Sequence, residues 1–334
     1  MGMSHLALIG QYIGKSNVAL CDTKWVTRVI FRLLGYRAFV SVDEATKRLG
    51  QIRGALIATP TGSHATLARW AIERQIPFFI EKPLTLDAVK SQDLVKLAQS
   101  AAVYAQMGFV LRYVASFQRL KVLIAEGQLG EVQHYSASMR GNVITQPLDD
   151  GDWRGDYQRG GGCLNEYGPH IIDLCRYIFG PVTSIDKATC ESHFSVGADD
   201  RFTVKWLHGS GIEGEVAADW CDPSMRKSVI EFRVECANAS VRVDNSAIDI
   251  VWHTNVQLSP DERAIMEMQP RPSNVSFYLR GEEFSLEIED FLTACLGRDF
   301  HADPTCRDSK APDLADGFEV DALIHEIAEK GGLK

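Results

Sequence analysis

The chain has 334 residues, enough at roughly 150 residues per domain for two domains that each bury a core. Its composition, 45% hydrophobic and 24% charged with 27 Gly and 12 Pro, excludes disordered, collagen-like and low-complexity classes. A net charge of −9 argues against a nucleic-acid footprint, which needs a concentrated basic surface. The most apolar early run, Leu6 to Ile9, is too short to span a bilayer or serve as a signal core, so a cytoplasmic enzyme with no membrane partner is expected. The eight cysteines, Cys21, Cys163, Cys175, Cys190, Cys221, Cys236, Cys295 and Cys306, include no C-x-x-C pair. They read as reduced thiols, with neither a metal site nor a disulfide framework.

From Asn17 to Val110 short β-rich runs alternate with amphipathic stretches, the pattern of a parallel sheet flanked by helices. Strands are expected at Asn17 to Cys21, Ala55 to Ala58 and Pro77 to Ile80, and helices at Trp25 to Leu34, Ser63 to Arg74 and Leu86 to Gln99. After Gly130 the texture becomes period-two, clearest where Ile230, Phe232 and Val234 alternate with Glu231, Arg233 and Glu235. That alternation predicts an antiparallel sheet with one wet face. Further helices are expected at Pro169 to Phe179, Phe284 to Leu296 and Asp313 to Glu329. The domain boundary falls near residue 112, giving a nucleotide-binding unit over 1–112 and a substrate and oligomerisation unit over 113–334, with the packing of the C-terminal helix on either unit left open.

Three strings carry chemistry. Ala58-Thr59-Pro60-Thr61-Gly62-Ser63-His64 follows a predicted strand, at the sheet edge where open α/β sheets bind ligands, although it also reads as a proline turn capping a helix. Glu81-Lys82-Pro83 ends the next strand and delivers a lysine to the same edge, as a substrate donor or as a surface partner of Glu81. Gly160-Gly161-Gly162 leads into Glu166, His170 and Asp173, with Gly168-Pro169 placing His170 in the first turn of a helix. A histidine beside carboxylates suits proton transfer, and it equally suits a buried, hydrogen-bonded structural role.

Together, in this order and spacing, the strings resemble the glucose-fructose oxidoreductase, inositol dehydrogenase and rhizopine catabolism family, written Gfo/Idh/MocA, from about Asn17 to the C-terminus. The resemblance implies a Rossmann-like parallel domain followed by an α/β domain with a large, mainly antiparallel sheet. It also implies an NAD(P)-dependent oxidoreductase acting on a sugar, inositol or related polyol. Lys82 then matches the lysine that reaches substrate and nicotinamide, His170 the proton-transfer histidine, and Glu166 a position usually held by aspartate. Thr59, Pro60, His64 and Glu81 match the segments along the cofactor. Arg112 matches an arginine near the substrate, and Asp173, which closes the third string and is more often a structural helix residue in the family, is included on the substrate side. Trp153 and Arg154, on the loop before the glycine cluster, read as a sugar-contacting pair or equally as packing and surface. A homodimer or homotetramer is implied by the open face of the second sheet.

The dinucleotide fingerprint departs from the family. Leu6 to Ile9 resembles the first strand, followed by Gly10 and Gly14, but only seven residues, Lys15 to Cys21, separate Gly14 from Asp22. No crossover helix fits there, so the first βαβ unit is shortened or forms a hairpin-like excursion. Asp22 matches the acid that accepts the adenosine ribose and favours NAD, while Lys24 nearby would favour NADP. Three functions remain open: a dehydrogenase, a redox-inactive sugar-binding or assembly protein, and an NAD-dependent hydrolase or lyase working through transient oxidation.

Overall fold

The computed structural model describes residues 1–149, 151–271, 273–302 and 311–333; Cys306 lies outside them. Its first element corrects the expected strand. α1 (Gly2–Ile13) is a helix, in which Leu6, Ile9 and Ile13 pack towards Val18, Phe31 and Tyr36, while Leu8 and Tyr12 pack towards Ile288 and Leu292. Spacings of three and four residues are those of a helix face, and they override the strand-like look of a four-residue apolar run. Gly10 lies inside this helix, where a Cβ would come 2.6 Å from the Tyr36 hydroxyl. Gly14 closes it with φ 82°. Neither glycine sits in a turn between a strand and a helix.

The chain continues through β1 (Ala19–Cys21), α2 (Trp25–Leu33), β2 (Arg37–Phe39) and α3 (Val42–Leu49). It then alternates β3 (Ala55–Ile57), α4 (His64–Glu73), β4 (Phe78–Glu81), α5 (Ala88–Ala101) and β5 (Ala105–Gly108). Helix starts follow local chemistry: the Ser41 hydroxyl accepts from the Glu44 amide at α3, and the Asp87 carboxylate from the Val89 and Lys90 amides at α5. Among the described residues the parallel strands form two ladders, β1-β2 and β3-β4-β5. α1 lies against both, touching the clusters that hold Leu20 of β1 and Leu56 of β3.

The second unit comprises α6 (Ala115–Ala125), β6 (Val132–Arg140), α7 (Cys163–Glu166), α8 (Gly168–Phe179), β7 (Val182–Glu191), β8 (Arg201–His208), β9 (Glu213–Asp219), β10 (Val229–Cys236), β11 (Ala239–Asp244) and β12 (Ile248–Trp252). Its seven strands run in the order β12-β11-β10-β6-β9-β8-β7, antiparallel except for the β6-β9 pair. The alternation read in Val229 to Glu235 is the burial pattern observed, with Ile230, Phe232 and Val234 buried. α6 and α8 cover that inner face: Tyr135 stacks on Phe179 at 3.9 Å between ring centres, and Phe117 meets Phe232 edge-on at 5.7 Å.

After α9 (Pro260–Met266) the chain returns to the first unit. α10 (Glu282–Leu296) packs on α1 and β4, and α11 (Leu314–Lys330) packs on α5 and β5 as well as on α8 and β7. α11 therefore bridges the parallel ladder and the second unit, and its Asp321 accepts from the Thr85 amide just beyond β4. Among the described residues no helix is long and apolar enough to cross a membrane.

Candidate active site

The three strings meet where the carboxyl edge of the parallel ladder faces α7 and α8. At the end of β3 the Thr59-Pro60 turn is tied internally, the Ser63 hydroxyl donating to Thr59 Oγ1 at 2.7 Å and to the Pro60 carbonyl at 2.8 Å. At the end of β4 comes Glu81, then Lys82 and a cis Lys82-Pro83 bond. The buried His64 ring joins the two turns, with Nδ1 2.9 Å from the Pro83 carbonyl oxygen and Nε2 3.0 Å from that of Thr59.

Lys82 reaches across 84 residues of sequence to α7, where its ammonium donates to the Glu166 backbone carbonyl at 3.1 Å and lies 3.5 Å from Glu166 Oε2. Backbone geometry makes this reach available. Gly160 and Gly162 adopt φ 87° and 96°, a region that side chains disfavour. A Cβ on Gly161 would stand 2.3 Å from the Trp153 carbonyl oxygen. The α7 entry is then pinned by Asp199, whose carboxylate accepts from the Leu164 amide at 2.9 Å, and by Asn165, whose side-chain amide donates to the Gly161 carbonyl at 2.9 Å. Sequence reasoning gave no role to Asp199 or Asn165; no spacing rule points from a strand entry 35 residues away to a helix start.

Pro169 occupies the first turn of α8 and His170 follows it. His170 Nδ1 is enclosed without a hydrogen-bond partner in the protein. Burial, reinforced by the Lys82 charge, holds the ring well below the ordinary histidine pKa and therefore neutral at pH 7. Glu81 is held on the opposite side of β4 by His5 of α1, whose Nε2 lies 2.6 Å from its carboxylate. Burial alone pushes Glu81 up, but the His5 hydrogen bond and the His5 and Lys82 charges outweigh it and leave the carboxyl below its usual range. His5 is a contact that the sequence did not reveal.

The remaining predicted residues lie farther from this centre or partner one another. Arg112 and Asp173 form a buried bidentate pair, Nε–Oδ2 2.9 Å and Nη2–Oδ1 2.5 Å, with Asp316 of α11 3.1 Å from the same guanidinium. Both are buried, so they fasten α8 to the exit from β5 in this structure. Arg154 lies over the Trp153 ring at 4.8 Å on the loop before the glycines. Asp22 follows β1 of the separate two-stranded ladder, one carboxylate oxygen accepting from the Lys24 amide at 2.7 Å. Among the described residues no group of three or more His, Cys, Asp or Glu is placed to hold a metal ion.

Comparison with known proteins fits this geometry. Residues 18–109 match the family model for "Oxidoreductase family, NAD-binding Rossmann fold", and residues 117–242 match the "GFO/IDH/MocA C-terminal domain". Trans-1,2-dihydrobenzene-1,2-diol dehydrogenase of Oryctolagus cuniculus is 23% identical over 85% of this chain and 82% of its own. Inositol 2-dehydrogenase of Rhizobium meliloti (strain 1021) is 26% identical over 43% of this chain and 42% of its own. The chain spans about two fifths of the length of several curated relatives that it matches. Among solved structures, levoglucosan dehydrogenase in complex with NADH and levoglucosan superimposes with a TM-score of 0.80 at 18% identity, covering 99% of this chain and 94% of that one. At that identity the likeness is one of fold.

Proposed function

Since the chain belongs to the Gfo/Idh/MocA oxidoreductase family, with its NAD-binding Rossmann fold, we propose that it transfers a hydride between nicotinamide and a secondary alcohol or ketone. The substrate class is a sugar, inositol or nucleotide-sugar-like polyol. The observation that carries the reading is the convergence of Lys82, Glu166 and His170 on one edge, with His170 Nδ1 enclosed and unpartnered.

The residues present fit the dinucleotide. Asp22 offers a carboxylate to adenosine ribose hydroxyls, in favour of NAD. The N-terminus of α1, whose Gly2 lies beside Ala58 just after β3, would offer its amides to the pyrophosphate. The Thr59-Pro60 turn, Lys82 and His170 surround the place for the nicotinamide, which supplies the hydride acceptor or donor when bound. The neutral His170 accepts the proton of the reacting hydroxyl. Lys82 donates to the same oxygen as negative charge develops on it, and Glu166 keeps the ammonium oriented. Glu166 carries one methylene more than aspartate, a difference that bears on substrate preference. Arg112, Trp153, Arg154 and Asp173 remain proposed substrate-side residues, Arg112 and Asp173 through the backbone they hold. A homodimer or homotetramer through the outer face of the seven-stranded sheet, where Arg233, Arg242 and Lys205 are exposed, is proposed by family resemblance alone. The seven described cysteines are free thiols, which supports a cytoplasmic location.

The test is titration with NADH and NADPH by nicotinamide fluorescence, followed by a polyol and nucleotide-sugar screen. Saturable binding and turnover are expected, with Lys82→Met and His170→Ala each lowering kcat by about a hundredfold or more. A folded protein that binds no cofactor at millimolar concentration overturns the reading in favour of a redox-inactive sugar-binding protein. That second reading draws on Gly10 and Gly14, which lie within and at the end of α1 rather than in a phosphate-binding turn.

A further inference from the structure

The His64 ring lies between two backbone carbonyl oxygens, Pro83 at 2.9 Å from Nδ1 and Thr59 at 3.0 Å from Nε2. Carbonyl oxygens only accept, and a neutral imidazole has one N–H to give. Both contacts have hydrogen-bond length, so both are hydrogen bonds only when each ring nitrogen carries a hydrogen. The side chain is 1% exposed, which leaves no room for solvent to take the place of a lost partner. One acceptor belongs to the turn after β3, the other to the turn after β4 that carries Lys82.

We propose that His64 is a positioning residue that clasps the Thr59-Pro60 turn to the Lys82-Pro83 turn, by two attachments in the imidazolium and by one in the neutral ring. The clasp sets the distance between the wall beside the cofactor and the lysine that meets the substrate. It thus gives the string A-T-P-T-G-S-H a role that requires no contact between histidine and ligand. It rests on the oxidoreductase reading only for what the two turns hold. The charged and titratable groups around it are Glu81 at the end of β4, Lys82 just after it, His5 of α1 behind Glu81, and Asp321 of α11, which accepts from the Thr85 amide just beyond Pro83. Burial lowers the ring's pKa, while the two carbonyl bonds and the Glu81 charge act against that. The second attachment therefore forms as pH falls below the ordinary histidine value of 6.5.

The experiment uses the full chain without cofactor. Ring 15N spectra of His64 and hydrogen exchange of segments 58–65 and 82–87, corrected for the intrinsic pH dependence of exchange, are followed from pH 8 to 5. The second ring nitrogen is expected to gain its proton within this range, and protection of both segments to rise several-fold through the same midpoint. In His64→Gln, whose side-chain amide can donate but does not titrate, the protection is expected to be independent of pH. A ring that stays a single tautomer to pH 5, protection that does not follow its titration, or a His64→Gln variant that keeps the pH response would each overturn the proposal. The wild-type spectra test it even if the variant fails to fold. NADH titration across the same range separates the two claims: a several-fold change in Kd at the midpoint joins the clasp to the cofactor. A switch in protection with no NADH bound at any pH keeps the clasp and removes the oxidoreductase reading.

Discussion

The segment from Thr59 to Asp173 and the first fifty residues are built on different terms. Around the candidate site, side chains distant in sequence fix one another: Lys82 to Glu166, Arg112 to Asp173 and Asp316, and His64 to two turns. Beneath them lies a continuous core that includes Ile72, Phe78, Phe117 and Phe232, all essentially inaccessible. In the N-terminal unit the separate cluster has only four buried members, Leu6, Val18, Phe31 and Tyr36. α2 there turns Trp25, Val26, Ile30 and Leu33 to solvent. The edge that carries the candidate site is thus overdetermined, whereas the first fifty residues, proposed to meet the adenosine end of a dinucleotide, rest on few contacts. Local stability follows the density of buried contacts, so cofactor binding has more to order in the first unit than in the second.

The contrast is broken or sharpened most strongly in the core. Phe78→Ala is expected to cost about 3–5 kcal/mol in denaturant unfolding, and Leu6→Ala, in the smaller and partly open cluster, about 2 kcal/mol or less. Equal losses would show that the two regions unfold as one unit. Arg112→Met is expected to cost about 3–5 kcal/mol because it strands the Asp173 carboxylate in the interior. The double variant Arg112→Met, Asp173→Leu should recover much of that loss, and a failure to recover would assign Arg112 a role beyond the pair.

A smaller effect comes from pH, and it too belongs to the site-bearing side. Burial raises the Asp321 carboxyl to about 7 despite its bonds from Ser91 and the Thr85 and Leu84 amides. Its folded pKa thus lies above the ordinary 3.8, so the stability linked to this group is complete below 3.8 and is lost as pH rises towards 7. Asp321→Asn keeps an oxygen for Ser91 and Thr85, and it is expected to be more stable than wild type at pH 8 and equal to it near pH 3.5. His170 has the opposite sign. Its lowered pKa makes the folded state resist the proton that the unfolded state takes near 6.5, so its contribution is present above that pH and is lost below it. Melting curves of Asp321→Asn and His170→Ala across this range separate the two.

Most of this architecture was legible from periodicity and turn chemistry. The parallel strands, the alternation in β10 and the helices α8, α10 and α11 stand within a few residues of where the sequence placed them. The three strings do converge, because each ends a strand or opens a helix at one edge. The failure at Leu6 to Ile9 has a physical cause: four apolar residues fit a strand or a helix turn equally well, and the deciding evidence was the longer set Leu6, Ile9 and Ile13. The pairing of Arg112 with Asp173, the hold of His5 on Glu81 and the support of α7 by Asp199 were illegible, since 35 to 76 residues separate the partners. Resemblance named Arg112 and Asp173 from separate strings, and neither string reveals that they bind each other.

The smallest expected effect gives the most direct view of the first unit. Within α2, Phe31 is 7% exposed and Leu33 is 84% exposed, two residues apart on a helix of nine. Phe31 faces Tyr36 edge-on at 6.0 Å, while Arg28 and Arg32 spend their guanidinium hydrogens on the carbonyls of Asp22 and Ala38. The inward face is therefore one aromatic flanked by backbone bonds, and the apolar stripe at positions 25, 26, 30 and 33 adds nothing to the fold. Leu33→Gln is expected to change unfolding free energy by about 0.5 kcal/mol or less, as a surface substitution does. Phe31→Ala should exceed it several-fold. A Leu33→Gln loss as large as that of Phe31→Ala would mean that the outward face of α2 is covered in solution, and the contrast between the two regions would then belong to the isolated chain alone.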